Sequence, residues 1–278
     1  KFYKVINDID LGGEANPWNT PIGSDGKEFQ GYFDGAGYHI SNLYYNNPAD
    51  SGAIISGFFG YTKYAEICNL RLSGSITAGS TGARSYVGGV IAYAATTYCH
   101  DIIVDIDFSI TNSKDWIYVG GIMGCDREYT VLGEALSIQY GYGSAEGMKL
   151  KDCASLGSIN CSAPAIVGGM IGESSVGMTG LDGCYERFEN LISGTKLNAE
   201  NNARTGSVIG QIYMPLDNAS VDAYNVYSDT NEYNPVGMTI VEGSNNTING
   251  STTDSTVGEI KTTAELQSID FVKNFSDP

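Results

Sequence analysis

The best-placed pair of carboxylates in this sequence is Asp105 and Asp107. They alternate within an apolar run, so in a β-strand their side chains share one face and lie about 7 Å apart. A glycosidase needs two carboxyl groups at roughly 5–10 Å, one of them with a raised pKa. The alternative is an exposed polar face opposite Val104, Ile106 and Phe108, and the regular alternation favours that interpretation.

Calcium is the metal that the acidic residues suggest. Asp8 and Asp10 alternate near the start of the sequence, and Asp25 is followed by Gly26. Clustered carboxylate and carbonyl oxygens are the ligands that calcium prefers. The pattern matches neither the EF-hand nor the nonapeptide calcium repeat, so charge alone supports calcium. No other metal and no organic cofactor are predicted.

Histidines and cysteines give no motif for zinc or redox chemistry. The sequence contains two histidines, His39 and His100, and neither belongs to an HExxH motif, so zinc proteolysis of that kind is excluded. The cysteines lie among apolar or small residues, without a CxxC pair. They are Cys68, Cys99, Cys125, Cys153, Cys161 and Cys184. We expect buried, reduced packing residues, with disulfides as the alternative.

Tyrosines and glutamates are concentrated between residues 128 and 147. Tyrosine rings present an apolar face for stacking on a sugar and a hydroxyl for hydrogen bonding. The predicted ligand-binding residues are Glu128, Tyr129, Glu134, Tyr140 and Tyr142. The alternative is a surface loop whose aromatic residues cover a flank of the fold. Trp18, which we expect to cap the first repeat, and Trp116 are open to the same two interpretations.

The charge of the chain excludes several classes of partner. Fifteen Lys and Arg against 32 Asp and Glu give a formal net charge of −17. Nucleic acids and anionic lipids need neutralising cations, so neither is an expected partner. No apolar run approaches the roughly 20 residues of a membrane span. The composition fits a secreted or cell-surface protein.

A glycine-rich phrase recurs along the chain and indicates its architecture. Each copy places one or two small residues, mostly glycine, before a short apolar run. The copies are SGFFG at 56–60, VGGVI at 87–91, VGGIMG at 119–124, VGGMIG at 167–172 and GSVIG at 206–210. A phrase that returns every few tens of residues is typical of a solenoid. A phosphate-binding loop would occur once, between a strand and a helix.

A second phrase places an Asn or Asp before alternating apolar residues. Its copies are AEICNL from 65, CHDIIV from 99 and LKDCAS from 150, with a weaker copy, LDGC, from 181. The alternation predicts strands with one buried face. We expect Asn42, Asn69, Asp101 and Asp152 to stack between successive coils. We expect the glycines to supply positive φ at corners and close approach of coils.

The spacing of the glycine phrases selects the fold. The intervals are 32, 48 and about 38 residues. A helix of strands tolerates such variation, whereas rigid propeller blades do not. We predict an all-β, right-handed parallel β-helix with loop insertions, forming a single domain over residues 1–278 with less regular coils from 230 to 278. The widest interval contains the predicted binding loop.

Several segments resemble the GLUG-motif family of bacterial cell-surface repeat proteins. They are VINDIDL at 5–11, WNTPIG at 18–23, FQGYFDGAGYHISNL at 29–43, GFFG at 57–60 and a closing KTTAELQ at 261–267. The match is good over residues 5–110 and looser to about 230. It implies an adhesin-like, extracellular segment of a longer surface protein, of a kind also found beside IgA-cleaving metallopeptidase domains. It does not imply that this segment cleaves anything.

These observations predict a secreted or cell-surface module without catalysis of its own, acting as an adhesin-like binding element or a rigid spacer. Expected partners are host or bacterial glycans or surface proteins. The alternative is a carbohydrate-active enzyme on a β-helix, either a glycoside hydrolase or a polysaccharide lyase. A lyase needs a cationic group beside the substrate carboxylate. No basic cluster is visible in the sequence, although stacked coils can assemble one from distant residues.

Overall fold

The computed structural model describes residues 1–50, 52–80, 84–113, 117–127, 148–162, 164–176, 185–199, 204–228, 233–250 and 259–260. Within these ranges the regular secondary structure is β-strand, apart from a 3₁₀ turn at Gly13–Ala15. A search of the same ranges for a helix with the length and apolarity of a membrane span finds none.

The strands are short in two of the sheets and long in the third. In chain order they are β1 (Phe2–Lys4), β2 (Ile9–Asp10), β3 (Tyr32–Asp34), β4 (His39–Asp50), β5 (Ile55–Ser56), β6 (Phe59–Lys63), β7 (Glu66–Ser80), β8 (Ser85–Gly88), β9 (Ile91–Ala95), β10 (Tyr98–Ser113), β11 (Ile117–Gly120), β12 (Met123–Arg127), β13 (Met148–Cys161), β14 (Ala165–Gly168), β15 (Ile171–Ser175), β16 (Tyr185–Ser193), β17 (Lys196–Ala199), β18 (Arg204–Gly206), β19 (Ile209–Met214), β20 (Ser220–Ser228), β21 (Val236–Val241), β22 (Thr247–Gly250) and β23 (Glu259–Ile260).

Successive strands visit three sheets in turn, so the chain is a parallel β-helix. The path through the 12-stranded sheet is β1-β3-β7-β10-β13-β16-β20-β22. A 5-stranded sheet has the order β18-β14-β11-β8-β5, and a 6-stranded sheet has the order β21-β19-β15-β12-β9-β6. Strands β7, β8 and β9 form one coil, and β10, β11 and β12 pair with them in parallel to form the next. The predicted all-β solenoid is confirmed.

The glycine phrases align from coil to coil as predicted. Gly88 pairs with Gly120, Gly120 with Gly168, and Gly168 with Gly206. Of the two roles predicted for these glycines, close approach of the backbone is correct and positive φ is wrong. None of these four glycines has a positive φ, so they do not act by adopting the left-handed conformation. A Cβ at Gly88 would instead collide with the carbonyl oxygen of Ile91, because the 5-stranded and 6-stranded sheets approach closely there.

The predicted Asn and Asp stack runs along the 12-stranded sheet. Pairing of their neighbours aligns Asn69, Asp101, Asp152, Asn190 and Asn225, each with φ between 52° and 54°. Asparagine and aspartate tolerate this left-handed conformation, which bends each long strand. Asn190 Nδ2 donates to Asp152 Oδ1 at 2.7 Å, and Asn225 Nδ2 donates to Asn190 Oδ1 at 2.9 Å.

Two expectations about this stack are wrong. Asn42 does not join it, because β4 pairs with β7 so that Ile40 lies opposite Leu72, which places Asn42 beyond Asn69. Asn42 Nδ2 donates instead to Asp10 Oδ1 on the preceding coil. The fourth copy of the Asn/Asp phrase is also not LDGC at 181–184. The register places Phe188 opposite Leu150, so the copy is FENL at 188–191.

Apolar residues of the long strands form the core in register. One inward column consists of Ile67, Cys99, Leu150 and Phe188, all fully buried. Burial of each large apolar side chain contributes about 1.5–3 kcal/mol. The five described cysteines are buried and form no disulfide with one another, as expected, and Cys184 lies outside the described residues. Of the segment 230–278, the described parts contain β21, β22 and β23, which continue the parallel pairing.

Candidate functional site

The site described below does not include the predicted binding loop, which stays a prediction. Glu128, Tyr129, Glu134, Tyr140 and Tyr142 lie outside the described residues, as does Trp116. Trp18 is described, and its ring stacks on Phe58 with 5.2 Å between centroids. The indole Nε1 also donates to the Phe58 carbonyl at 3.2 Å, so Trp18 packs against the core of the first coils.

Asp105 and Asp107 lie on the outer face of β10. Both are exposed, whereas Val104, Ile106 and Phe108 between and beside them are buried. Asp107 Oδ1 accepts a hydrogen bond from the Ser158 hydroxyl on the next coil at 2.7 Å. Asp105 and Asp107 therefore belong to the polar outer face of β10, which is the interpretation that the alternation of apolar and polar residues favoured.

The N-terminal carboxylates are engaged by the chain itself. Asp8 Oδ1 accepts a bond from the His39 backbone N–H at 2.9 Å. Asp10 Oδ1 accepts bonds from Asn42 Nδ2 and from the Gly12 N–H, both at 2.8 Å, and these two donors lower the pKa of Asp10. They hold β2 against β4, and calcium binding at this position stays a prediction.

The outer faces of the 5-stranded and 6-stranded sheets meet at the glycine phrases, with a layer of side chains between them. The column on the 5-stranded sheet is Tyr86, Tyr118, Ile166 and Arg204. The column on the 6-stranded sheet is Tyr61, Tyr93, Cys125, Glu173 and Gln211. The middle of this layer is a small apolar cluster, separate from the main core, built around Tyr118, Cys125 and Ile166.

Toward the C-terminal coils this layer opens into a cleft of about 430 Å³, which we call the arginine cleft. Charged, aromatic and apolar side chains line it together. The lining residues are Arg84, Tyr118, Arg127, Ile166, Glu173, Arg204, Gln211, Tyr213, Ile240 and Glu242. A mixed lining of this kind suits a polar ligand that has both charged groups and apolar faces.

The three arginines of the cleft come from three coils. Arg84 directly precedes β8, Arg127 ends β12 and Arg204 begins β18. They face two carboxylates in the cleft, Glu173 and Glu242, so the cleft is locally cationic although the whole chain has a net charge of −17. This is the basic cluster that stacking assembles from residues far apart in sequence.

Glu173 is the buried carboxylate of the arginine cleft, with 3% of its surface exposed. Its Oε2 accepts a hydrogen bond from Gln211 Nε2 at 2.8 Å, and Arg204 in turn donates to Gln211 Oε1. The Cys125 thiol donates weakly to Oε1 at 3.8 Å. Burial raises the pKa of Glu173, and nearby Arg127 and Arg84 offset part of that rise. Glu173 is therefore easier to protonate than an exposed glutamate.

Two of the guanidinium groups lie over tyrosine rings. The Arg84 group is 5.7 Å from the Tyr118 ring centroid, and the Arg127 group is 5.7 Å from the Tyr93 centroid. Such cation–π contacts hold a guanidinium group in place and leave its edge N–H donors directed elsewhere. The Arg127 Nε is buried and has no hydrogen-bond partner among the described residues. The rings thus position both arginines in the cleft.

A second, smaller pocket of about 230 Å³ continues the same groove toward the N-terminus. We call it the tyrosine pocket; it is lined by Asp25, Glu28, Tyr61, Thr62, Lys63, Tyr86, Tyr93 and Ala95. Tyr86 and Tyr93 meet edge to face at 5.0 Å, and Tyr86 stacks on Tyr118 of the arginine cleft at 5.3 Å. The six strands of this sheet span roughly 24 Å along the axis, and the buried cluster of Tyr118, Cys125 and Ile166 lies between the two pockets.

Sequence reasoning missed the arginine cleft, although the glycine phrases contain the signal for it. Glu173 directly follows Gly172, and Gln211 directly follows Gly210, so equivalent positions of two phrases face the same groove. Arg204 lies two residues before Gly206 and therefore aligns with Ile166, two residues before Gly168. Comparing the residues at equivalent positions before and after each glycine phrase would have predicted that these side chains face one groove.

A second group of chemistry-bearing side chains lies on the outer face of the 12-stranded sheet. Glu66 and Cys68 of β7 face His100 of β10, and their ligand atoms all lie within 4.8 Å of one another. Burial alone lowers the pKa of His100, but hydrogen bonds with Cys68, Glu66 and Asp101 raise it to about 10. The sequence prediction of no metal other than calcium did not anticipate this group.

Comparisons with known proteins give no relative: no family model, no curated protein and no solved structure matches the chain.

Proposed function

We propose that this chain is a non-catalytic, secreted or cell-surface β-helix module that binds an extended acidic glycan along the groove between its 5-stranded and 6-stranded sheets. The observation that carries the proposal is the convergence of Arg84, Arg127 and Arg204 on one cleft of a strongly acidic chain. The resemblance of the sequence to GLUG-motif surface proteins supports the same setting.

The arginines select for an anionic ligand. A guanidinium group pairs with a carboxylate through two parallel hydrogen bonds, and it is less strongly hydrated than an ammonium group. The rest of the chain is strongly acidic and repels anions, so a ligand with carboxylates is attracted at the arginine cleft. Glycans that contain uronic or other acidic sugars have this chemistry.

The other lining residues suit the sugar ring. Tyr213 is partly exposed and offers an aromatic face for the C–H surface of a sugar, and its hydroxyl already donates to Glu242 at 2.8 Å. Gln211 and Glu173 supply an amide and a carboxyl for sugar hydroxyls. The tyrosine pocket extends the groove in line with the coils, so a linear chain of sugars fits better than a compact ligand.

The test is equilibrium binding of the full chain to polygalacturonate and to neutral dextran. We expect binding to the acidic polymer only, with Arg127→Gln and Arg204→Gln each weakening it roughly 10- to 100-fold, since a hydrogen bond to a charged group contributes about 1.5–3 kcal/mol. Arg71→Gln is the matched control, because Arg71 lies in β7 on the 12-stranded sheet. Equal binding of both polymers, or unchanged affinity in both cleft variants, would show the proposal to be wrong.

A glycoside hydrolase is the second candidate function, and one observation favours it. The arginine cleft contains two carboxyl groups in different environments, with Glu173 buried and raised in pKa and Glu242 exposed. That division is typical of an acid and a base that act on one glycosidic bond. Release of reducing ends from acidic polysaccharides, abolished in Glu173→Gln, would establish hydrolysis; binding without release supports the non-catalytic module.

A further inference from the structure

The 12-stranded sheet brings three different metal-ligating side chains together on its outer face. Glu66 and Cys68 are two residues apart on β7 and so point to the same side of the sheet. His100 on β10 is the register partner of Cys68. One carboxylate oxygen, one thiol sulfur and one imidazole nitrogen thus converge within 4.8 Å of one another.

The imidazole of His100 is oriented from its far side. Nδ1 lies 2.6 Å from Asp101 Oδ2, and the ring stacks on Tyr98 with centroids 4.7 Å apart. Nε2 therefore points toward Glu66, whose Oε1 is 3.1 Å away. A histidine that ligates a metal commonly donates its other N–H to a carboxylate, which fixes the tautomer and makes the ligating nitrogen more basic.

The other two ligand residues, Cys68 and Glu66, are also held in place by their surroundings. Cys68 is fully buried and Glu66 is 5% exposed. The Tyr32 hydroxyl lies 3.1 Å from Cys68 Sγ, on the side of the preceding coil. His100 is only partly buried, so it offers a route from solvent to the group.

We propose that Glu66, Cys68 and His100 form a binding site for a divalent zinc-like transition metal ion. Zinc accepts mixed sulfur, nitrogen and oxygen ligands at 2.0–2.3 Å, which places neighbouring ligand atoms of a tetrahedron about 3.3–3.8 Å apart. The three ligand atoms of this chain lie within 4.8 Å of one another, with 3.1 Å between His100 Nε2 and Glu66 Oε1, so small side-chain movements bring them to that spacing. A thiolate and an imidazole together select zinc or cobalt over calcium and magnesium, which prefer oxygen ligands alone. Three protein ligands leave one position for water or another small ligand.

The site is independent of the arginine cleft, since its three ligands lie on the 12-stranded sheet and the cleft is formed by the other two. Its occupancy therefore tests nothing about glycan binding. A metal at this position would tie β7 to β10 and so join two successive coils of the solenoid.

Cobalt(II) is a suitable probe because it replaces zinc and gives visible absorption. The full chain, stripped of metal with a chelator and kept reduced, is titrated with Co²⁺. We expect one tight equivalent per chain, a thiolate-to-cobalt charge-transfer band in the near ultraviolet, and displacement by Zn²⁺. Cys68→Ser removes the charge-transfer band, and His100→Gln weakens binding at least about 100-fold.

Two further variants make the result decisive even if Cys68→Ser folds poorly. Asp101→Asn keeps a residue that tolerates the φ of 54° at this position, and we expect it to fold and to weaken metal binding about 10- to 100-fold. The matched controls His39→Gln and Cys125→Ser retain full affinity. Two results would overturn the proposal: a folded wild-type chain that shows no thiolate band, or wild-type cobalt affinity in both Asp101→Asn and His100→Gln. Either would mean that Glu66, Cys68 and His100 form only a hydrogen-bonded ion pair.

Discussion

Glu173 and Gln211 are register partners on successive coils, and Gln211 Nε2 donates to Glu173 Oε2 at 2.8 Å. The pair lies in the arginine cleft, where Glu173 is almost completely buried. Gln211 satisfies one oxygen of a carboxylate that burial makes harder to ionise. The cleft therefore contains a buried carboxyl group whose ionisation costs free energy.

We expect Glu173→Gln to raise the melting temperature at pH 7 by a few degrees. Burial raises the pKa of Glu173 in the folded state above that of an unfolded glutamate, so the folded state binds more protons than the unfolded state between the two pKa values, and stability falls as the pH rises through that window. An amide has no such ionisation. The gain should shrink at pH 4, where most glutamate is protonated in both states.

Differential scanning calorimetry of wild type and Glu173→Gln at pH 4 and pH 7 is the measurement. Glu189→Gln, on the outer face of the 12-stranded sheet, is the comparison variant and should not reproduce the gain. A lower melting temperature for Glu173→Gln at pH 7 would mean that attraction to the arginines exceeds the burial penalty.

Gly88→Ala should destabilise the chain by about 3 kcal/mol, because the new Cβ meets the Ile91 carbonyl and the Gly124 N–H, and neither backbone group can move without opening the sheet pair. Gly26→Ala is the control for conformational strain without crowding. Gly26 has a φ of +71° and nothing within 4 Å of an added Cβ, so about 1 kcal/mol is expected. Urea unfolding followed by circular dichroism compares the two, and equal losses would contradict the crowding argument.

Asn190→Ala should lower the free energy of unfolding by about 2 kcal/mol. Alanine is disfavoured at a φ of 54°, and the change removes the bonds to Asp152 and from Asn225. Asn198→Ala is the matched control, since Asn198 is exposed and its Nδ2 lies 3.5 Å from its partner. That variant should stay within about 0.5 kcal/mol of wild type in the same urea experiment. A similar loss in both would remove the special role of the stack.

The repeat and the core were predictable because they depend on local pattern. The glycine phrases set the register, and an interval of 38 residues between Gly168 and Gly206 also separates Asp152 from Asn190. Applying that interval would have corrected the fourth copy of the Asn/Asp phrase. Asn42 was not predictable in this way, since only the pairing of β4 with β7 shows that it lies beyond Asn69 and outside the stack.

The candidate site was harder to predict from the sequence, and the reason is physical. A groove between two sheets is defined by which face of each strand turns outward and by how closely the sheets approach. Arg84 and Arg204 are 120 residues apart in the chain, and only the coil-to-coil register brings them into one cleft. The metal-ligating group is similar, because Cys68 and His100 become neighbours through strand pairing alone.

Binding of polygalacturonate should weaken with salt. The arginine cleft is open to solvent at Arg84, which is exposed, so its attraction for carboxylates is screened as the Debye length shortens from about 10 Å at 0.1 M to about 3 Å at 1 M salt. We expect roughly tenfold weaker binding at the higher concentration. The double variant Arg84→Gln/Arg204→Gln should show a shallower dependence, whereas Arg71→Gln should follow wild type. Isothermal titration calorimetry at several salt concentrations measures the slopes, and a slope unaffected by the double variant would place the anion contacts elsewhere on the chain.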